Sequence, residues 1–226
     1  MLCTDRFLAV SQPKTGSATR RWSFNRILGG TTCLVHDGVR YRDHCPLRDI
    51  PPEALGERLT VATVRNPWDW YVSAWRHVMV NKRMAVHPHL AALGRGSQEW
   101  EAVLYGMTHP EEVPGRLASH VILRPGGLEG EGVWSRSTLW FNSGAVAWVD
   151  LAAQNEVWAD LAPEHADALR SCAWENVTEG ALSSTWHWTG EQIEWVRQAD
   201  AEYIDLFGFV GPGSTARKPL FHGSLL

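Results

Sequence analysis

Leu59-Thr-Val-Ala-Thr-Val64, running directly into Arg65-Asn66-Pro67, is the stretch on which the fold is read. A run of apolar and β-branched residues suits a strand buried on both faces, as the strands of a parallel sheet are. Asn66 as N-cap and Pro67 at the first helical position start a helix at once. That helix is expected over residues 68–84, with Trp68, Tyr71, Val72, Trp75, Val78 and Met79 on its apolar side.

The same plan stands earlier in the chain. Arg6-Phe-Leu-Ala-Val10 reads as a short buried strand, and Ser11-Gln-Pro-Lys-Thr-Gly-Ser-Ala-Thr19 as a loop of small residues and turn formers. A helix follows over residues 19–28, with Trp22, Phe24, Ile27 and Leu28 near helical spacing, and Gly29-Gly30 stops it. Pro51 and Pro52 open a short helix between the two units. Strands alternating with helices predict a parallel α/β sheet with right-handed crossovers.

Further along, residues 97–107 read as a helix and 125–132, rich in glycine, as a flexible loop. Ala145-Val-Ala-Trp-Val149 suits a later strand, and residues 160–172 a helix. Thr189-Gly-Glu-Gln192 has the form of a capping box. It opens a helix to about Phe207 that Gly208 ends, and from about residue 211 the composition predicts a flexible tail. A length of 226 residues fits one domain, 1–226, large enough to bury a core without metal or disulfide staples.

The formal net charge of −4 hides a division: residues 1–98 carry +7 and residues 99–226 carry −11. Residues 14–48 alone hold seven Lys and Arg against two Asp. The first half is therefore equipped to meet an anion. A pI near 6.2 argues against a dedicated nucleic-acid binder. No apolar run approaches the roughly 18 residues of a membrane helix, and no signal peptide is expected. Cysteines 3, 33, 45 and 172 form no Cys-x-x-Cys pair, which predicts free thiols and a cytoplasmic protein. His87-Pro-His89 lacks a third ligand, so no metal is expected.

The chemistry concentrates in two places. A strand that feeds a helix through Pro13-Lys14-Thr15-Gly16-Ser17-Ala18-Thr19 exposes backbone N–H groups that favour a phosphate or sulfate. Lys14 adds a point charge; Ser17 and Thr19 add hydroxyls. The loop is not a Walker A motif, because Lys14 precedes its only glycine. Arg65 stands where ligands of open α/β sheets bind, beyond the carboxyl end of a strand, and Ser73 lies eight residues on. A guanidinium there holds phosphate through a fork of hydrogen bonds.

These residues resemble a known family. Pro13-Lys-Thr-Gly-Ser17 is similar to the 5′-phosphosulfate loop of sulfotransferases that use 3′-phosphoadenosine 5′-phosphosulfate (PAPS). Val64-Arg-Asn-Pro-Trp-Asp-Trp-Tyr-Val-Ser73 is similar to their 3′-phosphate motif, and Ala201-Glu-Tyr-Ile-Asp-Leu-Phe-Gly-Phe209 to the helix end of bacterial and carbohydrate-type members. The resemblance implies a P-loop-NTPase-like parallel β-sheet flanked by helices and transfer of a sulfonate to a hydroxyl or amine of a carbohydrate or small molecule. It implies that Lys14 contacts the phosphosulfate, that Thr15, Gly16, Ser17, Ala18 and Thr19 hold the 5′-phosphate, and that Arg65 and Ser73 hold the 3′-phosphate. His44, in Asp43-His-Cys-Pro, is the favoured general base, with His36 the alternative. Arg217-Lys218 partly matches a basic element near the C-terminus of cytosolic members, and Gln154-Asn155 and Glu175-Asn176 each partly match a Glu-Asn-Leu element. Trp70, Trp75, Trp100, Trp134 and Trp140 are candidates for an acceptor platform. The competing readings are a nucleotide-dependent phosphotransferase of P-loop-like fold and a non-catalytic nucleotide-binding module.

Overall fold

The computed structural model describes residues 1–10, 19–42, 45–76, 146–173, 188–217 and 220–223. A five-stranded sheet runs through them in the order β1 (Leu2–Cys3), β2 (Phe7–Ala9), β5 (Leu59–Val64), β6 (Val146–Asp150) and β7 (Leu220–Gly223). The central three are parallel, with Ala9 opposite Val61 and Val64 opposite Asp150. As the apolar run implies, residues 60–64 of β5 are buried throughout.

Both outer strands are antiparallel, where the alternation of elements led to an all-parallel expectation. Three residues join β1 to β2, and a parallel crossover needs about a dozen or more. The Thr4 hydroxyl closes that turn, accepting from the N–H groups of Arg6 and Phe7 at 3.2 and 2.9 Å. Strand β7 occupies the stretch expected as a tail. A separate hairpin pairs β3 (Leu34–His36) with β4 (Val39–Tyr41). Its two-residue turn is Asp37-Gly38, both at positive φ, as a tight hairpin turn requires.

Helices cover both faces. After the loop the chain forms a π-helical stretch, Arg20–Phe24, that continues as α1 (Asn25–Leu28) and stops at Gly29 with φ +65°. Trp22, read at helical spacing with Phe24, Ile27 and Leu28, is 58% exposed while Phe24 is fully buried, because the wider π register changes which side chains share a face. Phe24 packs edge-on against Trp158 of α4 (Gln154–Leu161), and Trp158 against Phe7. Leu2, Ala9, Val61, Ala147 and Val149 complete the core on this face.

Helix α4 begins six residues before the helix expected at 160–172. Asp150 accepts the Ala152 N–H at 3.1 Å and turns the chain out of β6 early. Pro163, which has no N–H to donate, then breaks the run into α4, a 3₁₀ turn and α5 (Ala166–Arg170). On the opposite face lie α3 (Pro67–Arg76), α6 (Gly190–Ala199) and α7 (Ala201–Phe207). Trp68 donates its indole N–H to the Ile193 carbonyl at 3.3 Å, and Trp148 of β6 packs on Phe207 with ring centroids 5.6 Å apart. The expected single helix to Phe207 is two, divided at Asp200; the Thr189 capping box opens the first, and Gly208 at φ +71° ends the second. Helix α2 (Pro52–Leu55) is the short helix announced by its prolines.

Among the described residues no helix is long and apolar enough to cross a membrane, and Cys3, Cys33, Cys45 and Cys172 are free thiols. Residues 97–107 and 125–132 lie outside the described residues, as do Trp100, Trp134, Trp140 and Glu175-Asn176.

Candidate functional site

Strands β2 and β5 are adjacent and parallel, so both candidate motifs leave the same edge of the sheet. The Val10 N–H bonds the Val61 carbonyl at 3.2 Å, carrying the ladder one residue past β2. Beyond it, Lys14, Thr15, Gly16, Ser17 and Ala18 lie outside the described residues, as does His44. The chain is described again at Thr19, which is buried.

Arg65 is the first residue past β5. Its backbone N–H donates to the Tyr203 hydroxyl at 3.0 Å, and that hydroxyl donates to the Arg65 carbonyl at 3.1 Å. Burial pulls the Arg65 guanidinium down to about 10, opposed by the nearby negative charge of Asp69 and by Tyr203, so it stays cationic at neutral pH. Burial also pushes the Tyr203 phenol well above its ordinary value, so it remains a neutral donor.

Asn66 does two jobs. Its Oδ1 accepts the Asp69 N–H at 3.2 Å, the cap the sequence implied. Its Nδ2 donates to the carbonyls of Gly211 and Ser214, each at 2.8 Å, drawing residues 211–214 over the end of β5. Ser73 is buried on α3, seven residues after Asn66 and therefore two turns along the same face. Arg65 and Ser73 thus belong to one strand–helix unit, as their spacing implied.

Asp150, at the matching end of β6, accepts the Ala216 N–H at 2.7 Å, and burial raises its carboxyl above the usual range. Next in line, Arg217 donates its N–H to the Phe207 carbonyl at 2.8 Å. The Arg217 side chain crosses Gly208 so closely that a Cβ there would meet the Arg217 Cβ at 2.6 Å. Gly208 is therefore required twice, for its positive φ and for this crossing. Arg217 and Arg65 both belong to the segments gathered at the carboxyl edge; Lys218 lies outside the described residues.

His36 is on the β3–β4 hairpin, with Nε2 3.4 Å from the carboxylate of its neighbour Asp37. Trp70 is fully buried and edge-on to Tyr71 at 5.2 Å, which makes it core and removes it from an acceptor platform. Among the described residues no group of three or more His, Cys, Asp or Glu is placed to hold a metal ion.

Four residues at this edge escape sequence reasoning. Arg20 is fully buried and donates to the Thr63 hydroxyl on β5, and nothing in the pair Arg20-Arg21 distinguishes it in the sequence. Tyr203 and Asp150 reach this edge through contacts 138 and 66 residues away in the chain. Gln154, also fully buried, has no hydrogen-bond partner on either amide atom among the described residues. Its partial match to a Glu-Asn-Leu element was the only available signal.

The arrangement suits an oxyanion. A partly desolvated guanidinium stands at the carboxyl edge of parallel strands, its backbone fixed, beside the start of a ten-residue helix. Comparison with known proteins brings no match to any family model, curated protein or solved structure.

Proposed function

We propose that this chain is a PAPS-dependent sulfotransferase, with a P-loop-like nucleotide site at the carboxyl edge of β2 and β5. The observation that carries the reading is the position of Arg65. It follows directly on β5, next to the strand that feeds Pro13-Lys-Thr-Gly-Ser17. Arg65 and Ser73 would take the 3′-phosphate, and Lys14 with residues 15–19 the 5′-phosphosulfate. The positive balance of residues 14–48 suits so anionic a donor.

In the reaction the acceptor oxygen or nitrogen forms a bond to sulfur as the bond from sulfur to the phosphate oxygen breaks. The acceptor proton passes to a general base, His44 or His36, and adenosine 3′,5′-bisphosphate leaves. Catalysis rests on in-line positioning and on cations placed where charge develops on the leaving oxygen, the role of Lys14. His36 has the exposed Asp37 carboxylate 3.4 Å from its Nε2.

The test is transfer of ³⁵S from labelled PAPS to a panel of glycans, phenols and amines. Labelled product that disappears with Lys14→Ala supports the reading. Magnesium-dependent release of phosphate from ATP, with no labelled product, would replace it with a phosphotransferase.

A further inference from the structure

We infer that Tyr203 is a positioning residue for the phosphate site: its hydroxyl sets the direction in which Arg65 leaves the sheet. This rests on Arg65 being a 3′-phosphate ligand.

Val64 is the last residue of β5 paired in register with β6. The Arg65 peptide groups therefore lie past the ladder, where backbone polar groups need new partners. One phenol hydroxyl serves both, accepting the N–H at 3.0 Å and donating to the C=O at 3.1 Å. Two bonds from one oxygen to the same residue fix how that residue is turned, and so where its Cβ points.

The phenol is itself immobilised. Tyr203 is 1% exposed, stacks on Phe209 at 6.0 Å with planes 13° apart, and meets the Phe207 ring edge-on at 4.9 Å. Asp200, just ahead of α7, accepts the Tyr71 hydroxyl at 3.0 Å, tying α7 to the helix that carries Ser73. One element from the end of the chain therefore holds both halves of the 3′-phosphate motif. Bidentate recognition by a guanidinium tolerates little misplacement, so the tether acts on affinity through Arg65.

Tyr203→Phe removes the hydroxyl and keeps the ring stack. Calorimetry should compare adenosine 3′,5′-bisphosphate with adenosine 5′-monophosphate on wild type, Tyr203→Phe, Arg65→Ala and the double variant. Tyr203→Phe is expected to weaken the bisphosphate roughly tenfold, the scale of one lost hydrogen bond. It should leave the monophosphate unchanged and add nothing in the Arg65→Ala background. Equal loss for both nucleotides, no loss, or a loss that persists without Arg65 would overturn the inference alone. Equal binding of both nucleotides by wild type would overturn the phosphate role of Arg65 and this inference with it. In the unaltered protein, amide exchange at Arg65 should slow on adding the bisphosphate and not the monophosphate; unchanged exchange also counts against the tether.

Discussion

The Asp150 carboxylate accepts the Ala216 backbone N–H at 2.7 Å, fastening the last parallel strand to a segment 66 residues downstream. Its other oxygen accepts the Ala152 N–H, so each oxygen is committed to a backbone donor. Asp150→Asn would turn an NH₂ group towards one of them. The expected loss of stability is about 1–3 kcal/mol, read by urea denaturation. An unchanged midpoint would show that the clasp contributes nothing.

The same residue sets a pH dependence. Burial raises the Asp150 carboxyl in the folded protein above its unfolded value, despite the two N–H bonds. The folded state therefore holds this proton more readily, and the Asp150 contribution to stability falls as pH rises from about 4 through the raised value. Asp150→Asn removes that term. The thermal midpoint of wild type, measured against the variant from about pH 4 to 7, should decline relative to it. A constant difference would contradict the assignment.

Asn66 joins a helix cap to a tether, and two substitutions separate them. Asn66→Asp keeps an acceptor for the Asp69 N–H but sets a carboxylate against the carbonyls of Gly211 and Ser214. Asn66→Ala loses both functions and should cost at least the ~1 kcal/mol of a typical cap. Guanidinium denaturation should find both variants less stable than wild type. A fully stable Asn66→Asp would show that the tether does not matter.

Gln154 gives the opposite sign. An amide buried without partners costs about 1–3 kcal/mol, and an apolar side chain of similar shape avoids that cost. Gln154→Met is therefore expected to raise the thermal midpoint of the ligand-free protein. A fall would mean that the amide is satisfied in solution.

The parts of this fold readable in sequence are those that local chemistry decides. The β-branched run of β5, Asn66-Pro67, the Thr189 capping box and the terminating Gly29 and Gly208 each act within a few residues. Edge-strand direction depended on counting the three residues between β1 and β2, and the π register at Arg20–Phe24 has no local signature to count. The break at Asp200 was hidden because helical periodicity continues across it. That Arg65 and Ser73 fall on one strand–helix unit was legible because spacing along such a unit is a local property. Tyr203, Asp150 and Arg20 were not, because each acts on a partner that only the folded sheet brings near.

The central claim is that Arg65 and the elements around it bind a 3′-phosphate. Its most direct test is calorimetric titration with adenosine 3′,5′-bisphosphate and with ADP, on wild type and Arg65→Ala. Wild type should bind the bisphosphate far more tightly, and Arg65→Ala should lose about 1.5–3 kcal/mol for that nucleotide alone. Equal affinity of wild type for the two nucleotides would contradict the account.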